Sequence, residues 1–129
     1  MAGDAERELL DLTRALLEAI TRGDWDAYAA CCDESLSAFE PEARGQRVDG
    51  LAFHRFYFER VPADPTAHVT LASPHVRMLG DDAAIVSYVR LVQRVVDGAP
   101  HTAAFEETRV WRRTRGAWKH VHFHRSIGG

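Results

Sequence analysis

FEETRVWRRTRGAWKHVHFHRS, residues Phe105 to Ser126, alternates large apolar and charged side chains in two runs joined at Thr114-Arg115-Gly116. That is the pattern of a β-hairpin, in which successive side chains point to opposite faces. Strict alternation puts Arg109 and Trp111 on one face of the first strand. Val121, Phe123 and Arg125 then form the matching set on the second, so arginines sit among large apolar groups. The opposite face of the second strand is expected to carry Trp118, His120, His122 and His124.

Upstream of the hairpin the chain continues in the same style. Val69–Leu79, Ala83–Val96 and His101–Arg113 read as strands divided by the turn signals Gly80-Asp81-Asp82 and Asp97-Gly98-Ala99-Pro100, and Ala117–Ser126 closes the set. Pro74 predicts a bulge or an edge position in the first of them. The amino-terminal half is helical. Leu9, Leu12, Leu16 and Ile20 recur at helical spacing over Asp4–Arg22. Gly23 supplies a stop and Asp24 an N-cap for a second helix from Trp25 to about Asp33. Leu36–Glu40 predicts a short strand running into the loop Pro41–Gly45. Phe53, His54, Phe56 and Tyr57 predict a third helix that ends before Pro62 and brings four aromatic residues, Phe58 included, onto whatever it covers. Helices first and a meander afterwards give an α+β fold with an antiparallel sheet, and residues 1–129 read as a single domain.

Bulk properties narrow the function. The 129 residues are 46% hydrophobic and 27% charged, enough for a core that folds unaided. A formal net charge of -3 gives no basic excess for nucleic acid. No apolar run approaches the ~20 residues that span a bilayer, and MAGDAERELL has no signal-peptide character, so a cytoplasmic protein is expected. Cys31 and Cys32 are adjacent, a geometry that disfavours a bridge, and two reduced thiols are expected.

The strand AAIVSYVRLVQRVV is apolar on both sides, with Val86, Tyr88 and Val92 alternating with Ile85, Val89, Leu91 and Val95. A one-sided antiparallel sheet alternates apolar with polar. Three helices cover one face, so a second subunit on the other is the expected cover; a strongly curved sheet wrapping its own helices is the alternative.

Arg90, Arg109 and Arg125 lie on three consecutive strands in apolar settings. Buried guanidinium groups need carboxylates, and Glu40, Glu42, Glu59 and Glu107 are the candidates; a guanidinium left over suits a small carboxylate or a phosphorylated side chain. Both readings, internal ion pairs and anion pocket, stand at this level. His54 with Tyr57 forms a candidate acid/base pair if it borders the same cavity; a histidine satisfied at the core margin is the plainer alternative. His120, His122 and His124 have imidazoles that suit zinc, but their spacing supplies no further ligand, so neither a metal nor a cofactor is expected. They are expected instead on the subunit-facing side or in solvent, where titration near pH ~6.5 would tune assembly. No Ser/His/Asp order, P-loop or set of kinase motifs is present.

AFEPEA at residues 38–43, GL followed by FHRFYFE at 50–59, ETRVW at 107–111 and VHFHRS at 121–126 resemble the association (hub) domain of calcium/calmodulin-dependent protein kinase II, from about Leu9 to Ser126. The resemblance implies a nuclear transport factor 2-like cone, with N-terminal helices packed on a strongly curved antiparallel sheet. It further implies a non-catalytic homo-oligomeric ring of stacked dimers, of the dodecamer or tetradecamer type, that gathers kinase domains in cis or in trans. Arg90, Arg109, Arg125 and His54 match the family's cavity residues, where small carboxylates such as γ-hydroxybutyrate analogues bind in animal members; Tyr57 is added from its place beside His54. Ser73 and Phe105 depart from the family pattern, the second replacing a small polar residue. The same fold houses isomerases and cyclases, so a small-molecule enzyme using His54 or Tyr57 is the second functional reading.

Overall fold

The computed structural model describes residues 2–127. It runs α1 (Ala2–Arg22), α2 (Trp25–Cys31), β1 (Cys32–Phe39), a short 3-10 turn (Pro41–Ala43), β2 (Val48–Asp49), α3 (Ala52–Arg60), β3 (His68–Met78), β4 (Ala83–Val96), β5 (Ala99–Thr114) and β6 (Ala117–Ile127). The strands form one sheet in the order β2-β1-β6-β5-β4-β3. Neighbours pair antiparallel except β1 and β6, which run parallel. The α+β architecture is the one expected.

Local chemistry accounts for most boundaries. Gly23 takes φ +71° after α1, and the Asp24 carboxylate accepts from the Ala27 N–H at 3.1 Å, starting α2. The Arg115-Gly116 turn has both residues at positive φ (56° and 78°), which matches the twist of a two-residue hairpin. Asp97-Gly98 does the same, so β5 begins at Ala99 and not at His101 as expected. Pro100 is tolerated there because β5 has by then outrun β6, whose last pairing is Ile127 with Phe105. Ser73, at φ +50°, makes the bulge foreseen next to Pro74. Three features differ from expectation. α2 stops at Cys31 and the chain extends at once, because Cys32 already pairs with His120 on β6. The two-residue β2, which pairs with Ser37 and Ala38, is too short to leave a sequence signal. Phe56 of α3 is 49% exposed, so only about half of it is covered.

A second bulge changes the hairpin's faces. Val110 pairs with His122 but Trp111 pairs with His120, so Val121 is the extra residue. Strict alternation fails there. His120 and Trp118 turn inward with Arg109 and Trp111, both buried, and only His122 and His124 keep the outer face. The core lies between the helices and this inner face, where Leu9, Leu16, Leu17 and Tyr28 meet Val86, Trp111, Trp118 and Phe123. No helix among the described residues is long and apolar enough to cross a membrane.

Candidate functional site

β4, β5 and β6 aim one row of side chains each into the space beneath α3. Pairing sets Tyr88 opposite Glu107 and Glu107 opposite Arg125, with Arg109 opposite Phe123 one step along. The result is an inner chamber of about 130 Å³ lined by Tyr28, Glu40, His54, Tyr57, Arg90, Arg109, Phe123 and Arg125 among others. It adjoins a vestibule of about 390 Å³, with which it shares Ile20, Glu42, Tyr57, Phe58, Arg90 and Arg125. All five residues proposed from sequence, Arg90, Arg109, Arg125, His54 and Tyr57, therefore border one space.

The floor is a closed network. Arg109, fully buried, donates from Nε to the Tyr88 hydroxyl at 2.8 Å and from Nη2 to Glu107 Oε1 at 3.0 Å. The Tyr88 hydroxyl donates to the same oxygen at 2.5 Å. Arg109 Nη1 lies 3.3 Å from His120 Nε2, and His120 Nδ1 lies 3.6 Å from the Cys32 thiol. The Phe123 ring stacks on His120 and faces the Arg109 guanidinium at 4.5 Å. Burial pushes the Glu107 carboxyl up, but the charges of Arg109 and Arg90 outweigh it and hold the group below the ordinary range. Burial, reinforced by Arg109, keeps His120 neutral, and burial lifts the Cys32 thiol to about 12. Cys31 and Cys32 are both free thiols, as expected.

The rim is looser. Arg90 Nη1 stands 3.2 Å from Glu107 Oε2, an ion pair without hydrogen-bond geometry, since that oxygen has no hydrogen-bond partner among the described residues. Arg125 bonds Glu42 and lies 3.6 Å from Glu40. These carboxylates sit on or beside the 3-10 turn, which β1 delivers to β6 through the pairing of Phe39 with His124. Arg90 and Arg125 also flank the Phe105 ring, each at 5.0 Å. Of the four glutamates weighed as partners, Glu59 is elsewhere: it accepts from Arg55 on the exposed side of α3. His54 Nδ1 is 3.7 Å from Glu40 Oε1 and its Nε2 has no hydrogen-bond partner among the described residues. Burial first, then Arg109 and Arg125, lowers His54 to about 4, while burial raises Glu40, so the two meet as groups pressed toward neutrality. Such a histidine is a poor base at neutral pH.

Some of these roles leave no trace in the sequence pattern. Tyr88 reads as an apolar strand residue, yet its hydroxyl joins Arg109 to Glu107. His120 reaches the network only through the Val121 bulge. No grouping of three or more His, Cys, Asp or Glu side chains suited to a metal occurs among the described residues.

Comparison with known proteins gives a consistent result. The sequence matches the family described as calcium/calmodulin dependent protein kinase II association domain over residues 5–129. The hub homology domain of that kinase from Chlamydomonas reinhardtii superposes with a TM-score of 0.90 at 52% identity, covering 97% of this chain and 99% of that one. The association domain of the C. elegans kinase gives 0.92 at 40% identity, with 97% of each chain covered. The S. rosetta hub gives 0.82 at 44%, with 95% of each covered. A nuclear transport factor 2-like protein from Salmonella enterica, at 17% identity and a TM-score of 0.81, shares the fold.

Proposed function

Because the chain belongs to the calcium/calmodulin dependent protein kinase II association domain family, we propose that it is an oligomerisation module. It assembles as stacked dimers closed into a ring of the dodecamer or tetradecamer type, and it holds kinase domains, in cis or in trans, close together in the cytoplasm. These 129 residues hold no kinase domain, and the association domain is not catalytic.

One observation carries the assembly reading. On the outer face of β4, Ile85, Val89 and Leu91 stay partly exposed and Val95 is 51% exposed, while the helices gather on the inner face. Apolar surface of that kind on a central strand is stabilised by a second sheet, and a self-complementary patch supplies it through two-fold symmetry. The outward pair His122 and His124 belongs to the same face, with Phe39 against both rings and Ser37 Oγ 2.7 Å from His122 Nδ1. Native mass spectrometry tests the reading directly: a high even-numbered assembly is expected, and a monomer or plain dimer at micromolar concentration would overturn it.

The cavity is proposed to accept a small carboxylate or an acidic peptide side chain, with Arg90 and Arg125 taking the anion, Arg109 holding the floor and His54 and Tyr57 closing the walls. The partial exposure of Glu42 supports this, since an incoming carboxylate can replace it on Arg125. A rise in melting temperature with butyrate concentration is the expected readout. The catalytic alternative has no comparable support. His54 is held below the range of a useful base.

A further inference from the structure

The vestibule carries a cation that neither the sequence motifs nor the closed network uses. Arg94 follows Arg90 by four residues on β4, so the two share the inner face, about 13 Å apart along the strand. Both line the vestibule. In each, the Nε–H is buried and finds no acceptor among the described residues. Buried donors of this kind cost stability unless something accepts from them. Among the described residues Arg94 makes no ion pair or side-chain hydrogen bond. Asp64, whose carboxyl feels its charge, is engaged by Thr66 through N–H and Oγ1 at 2.8 and 2.7 Å and lies beyond ion-pair distance of Arg94. Every other arginine of the cavity has a carboxylate in reach: Arg90 and Arg109 have Glu107, and Arg125 has Glu42.

The rest of the vestibule is largely apolar. Phe105, Val92, Tyr57, Phe58, Val61 and Pro62 line it together with Arg90 and Arg94, and the Asp64 carboxylate lies at its edge. Phe105, which stands where the family resemblance leads one to expect a small polar residue, places its ring against both Arg90 and Arg125, at 5.0 Å from each guanidinium.

We infer that Arg94 is a second anion-recognition point at the mouth, and that the cavity takes an elongated ligand with an acidic group at each end and an apolar body between them. One carboxylate sits on Arg90 and Arg125, displacing Glu42. The apolar body lies along Phe105 and Tyr57, and the second carboxylate sits on Arg94. This rests on the carboxylate-accepting reading of the cavity, and the two are separable by experiment.

Calorimetric titration at low ionic strength compares butyrate, octanoate and the eight-carbon dicarboxylate suberate on the assembled protein, wild type and Arg94→Gln. Suberate is expected to bind the wild type at least about tenfold more tightly than octanoate, as one added charge-assisted contact would give. Arg94→Gln is expected to abolish that advantage, leave octanoate unchanged and leave the assembly mass unchanged. Equal affinity for suberate and octanoate in the wild type, or a suberate advantage that survives Arg94→Gln, overturns the role of Arg94 while the carboxylate reading stands. Failure of all three acids to bind overturns both.

Discussion

The two faces of this sheet differ in where they keep charge and where they keep accessible apolar surface. The inner face holds Glu107 and Arg109, both essentially inaccessible, with Arg90 and Arg125 nearly so. The outer face of the same strands offers Ile85, Val89, Leu91 and Val110, all partly exposed. Apolar groups stabilise by leaving water, while buried charges stabilise only when paired. An arrangement that buries charges and exposes apolar side chains is therefore incomplete as a single chain. On the proposed assembly reading, the outer face is completed by another copy. The inner face is complete at its floor, where Glu107 answers Arg109, and incomplete at its rim, where unsatisfied donors remain.

The largest effect is expected on the outer face. Val89→Asp places a charge in the middle of the apolar patch, and a buried unpaired carboxylate costs several kcal/mol in a contact between copies. The assembly is expected to fall apart into folded small species by native mass spectrometry, with the far-ultraviolet dichroism of the fold retained. A ring that persists would place the interface elsewhere.

Next in size is the floor of the inner face. Glu107→Gln leaves Arg109 buried without a carboxylate, and breaking such a pair costs about 3–5 kcal/mol. Chemical denaturation of the variant should show a lower midpoint with an unchanged slope. A loss below about 1 kcal/mol would mean that Tyr88 alone satisfies Arg109.

The histidines give a smaller, pH-dependent effect. His54 has its folded value lowered from 6.5 to about 4, so below pH 6.5 the unfolded chain binds the proton that the folded chain refuses. The stabilising contribution is complete above pH 6.5 and is lost as pH falls toward about 4, at up to roughly 1.4 kcal/mol per pH unit. His120 acts in the same direction. His54→Leu is expected to flatten the stability profile between pH 6.5 and 4.5, leaving the residual slope of His120 and the carboxylates. An unchanged slope would show that His54 titrates normally in the folded protein.

The smallest effect separates rim from floor. Glu42 is one-third exposed, so Glu42→Gln should change stability by no more than about 1 kcal/mol. It frees Arg125 nonetheless, and butyrate affinity should rise several-fold in calorimetry. No gain would mean that Glu40 takes over the guanidinium.

Much of the site was legible in the residues because arginine in an apolar strand is costly wherever it occurs. Arg90, Arg109 and Arg125 stand out on that ground alone, and three of their four candidate partners prove to be partners. The sides of the hairpin were less legible. A bulge needs one extra residue and no glycine or proline, so nothing at Val121 announces that His120 turns inward. Glu59 was misplaced for a related reason: one helical turn brings it back to Arg55, and only the packing of α3 decides which residues look into the cavity. Arg94 was passed over because periodicity gives a face and not a partner.

Local rules therefore settled the order of the helices and the longer strands, the turns at Asp97-Gly98 and Arg115-Gly116 and the apolar character of both faces of β4, because each depends on residues a few positions apart. Tertiary structure alone decided the rest. The parallel pairing of β1 with β6 brings Glu40 and Glu42 to Arg125 from over 80 residues away, the Val121 bulge commits His120 to Arg109, and Arg94 is left at the mouth with no carboxylate at ion-pair distance among the described residues. Those outcomes depend on which distant groups arrive at a buried charge, and a pattern of neighbours along the chain carries no record of that.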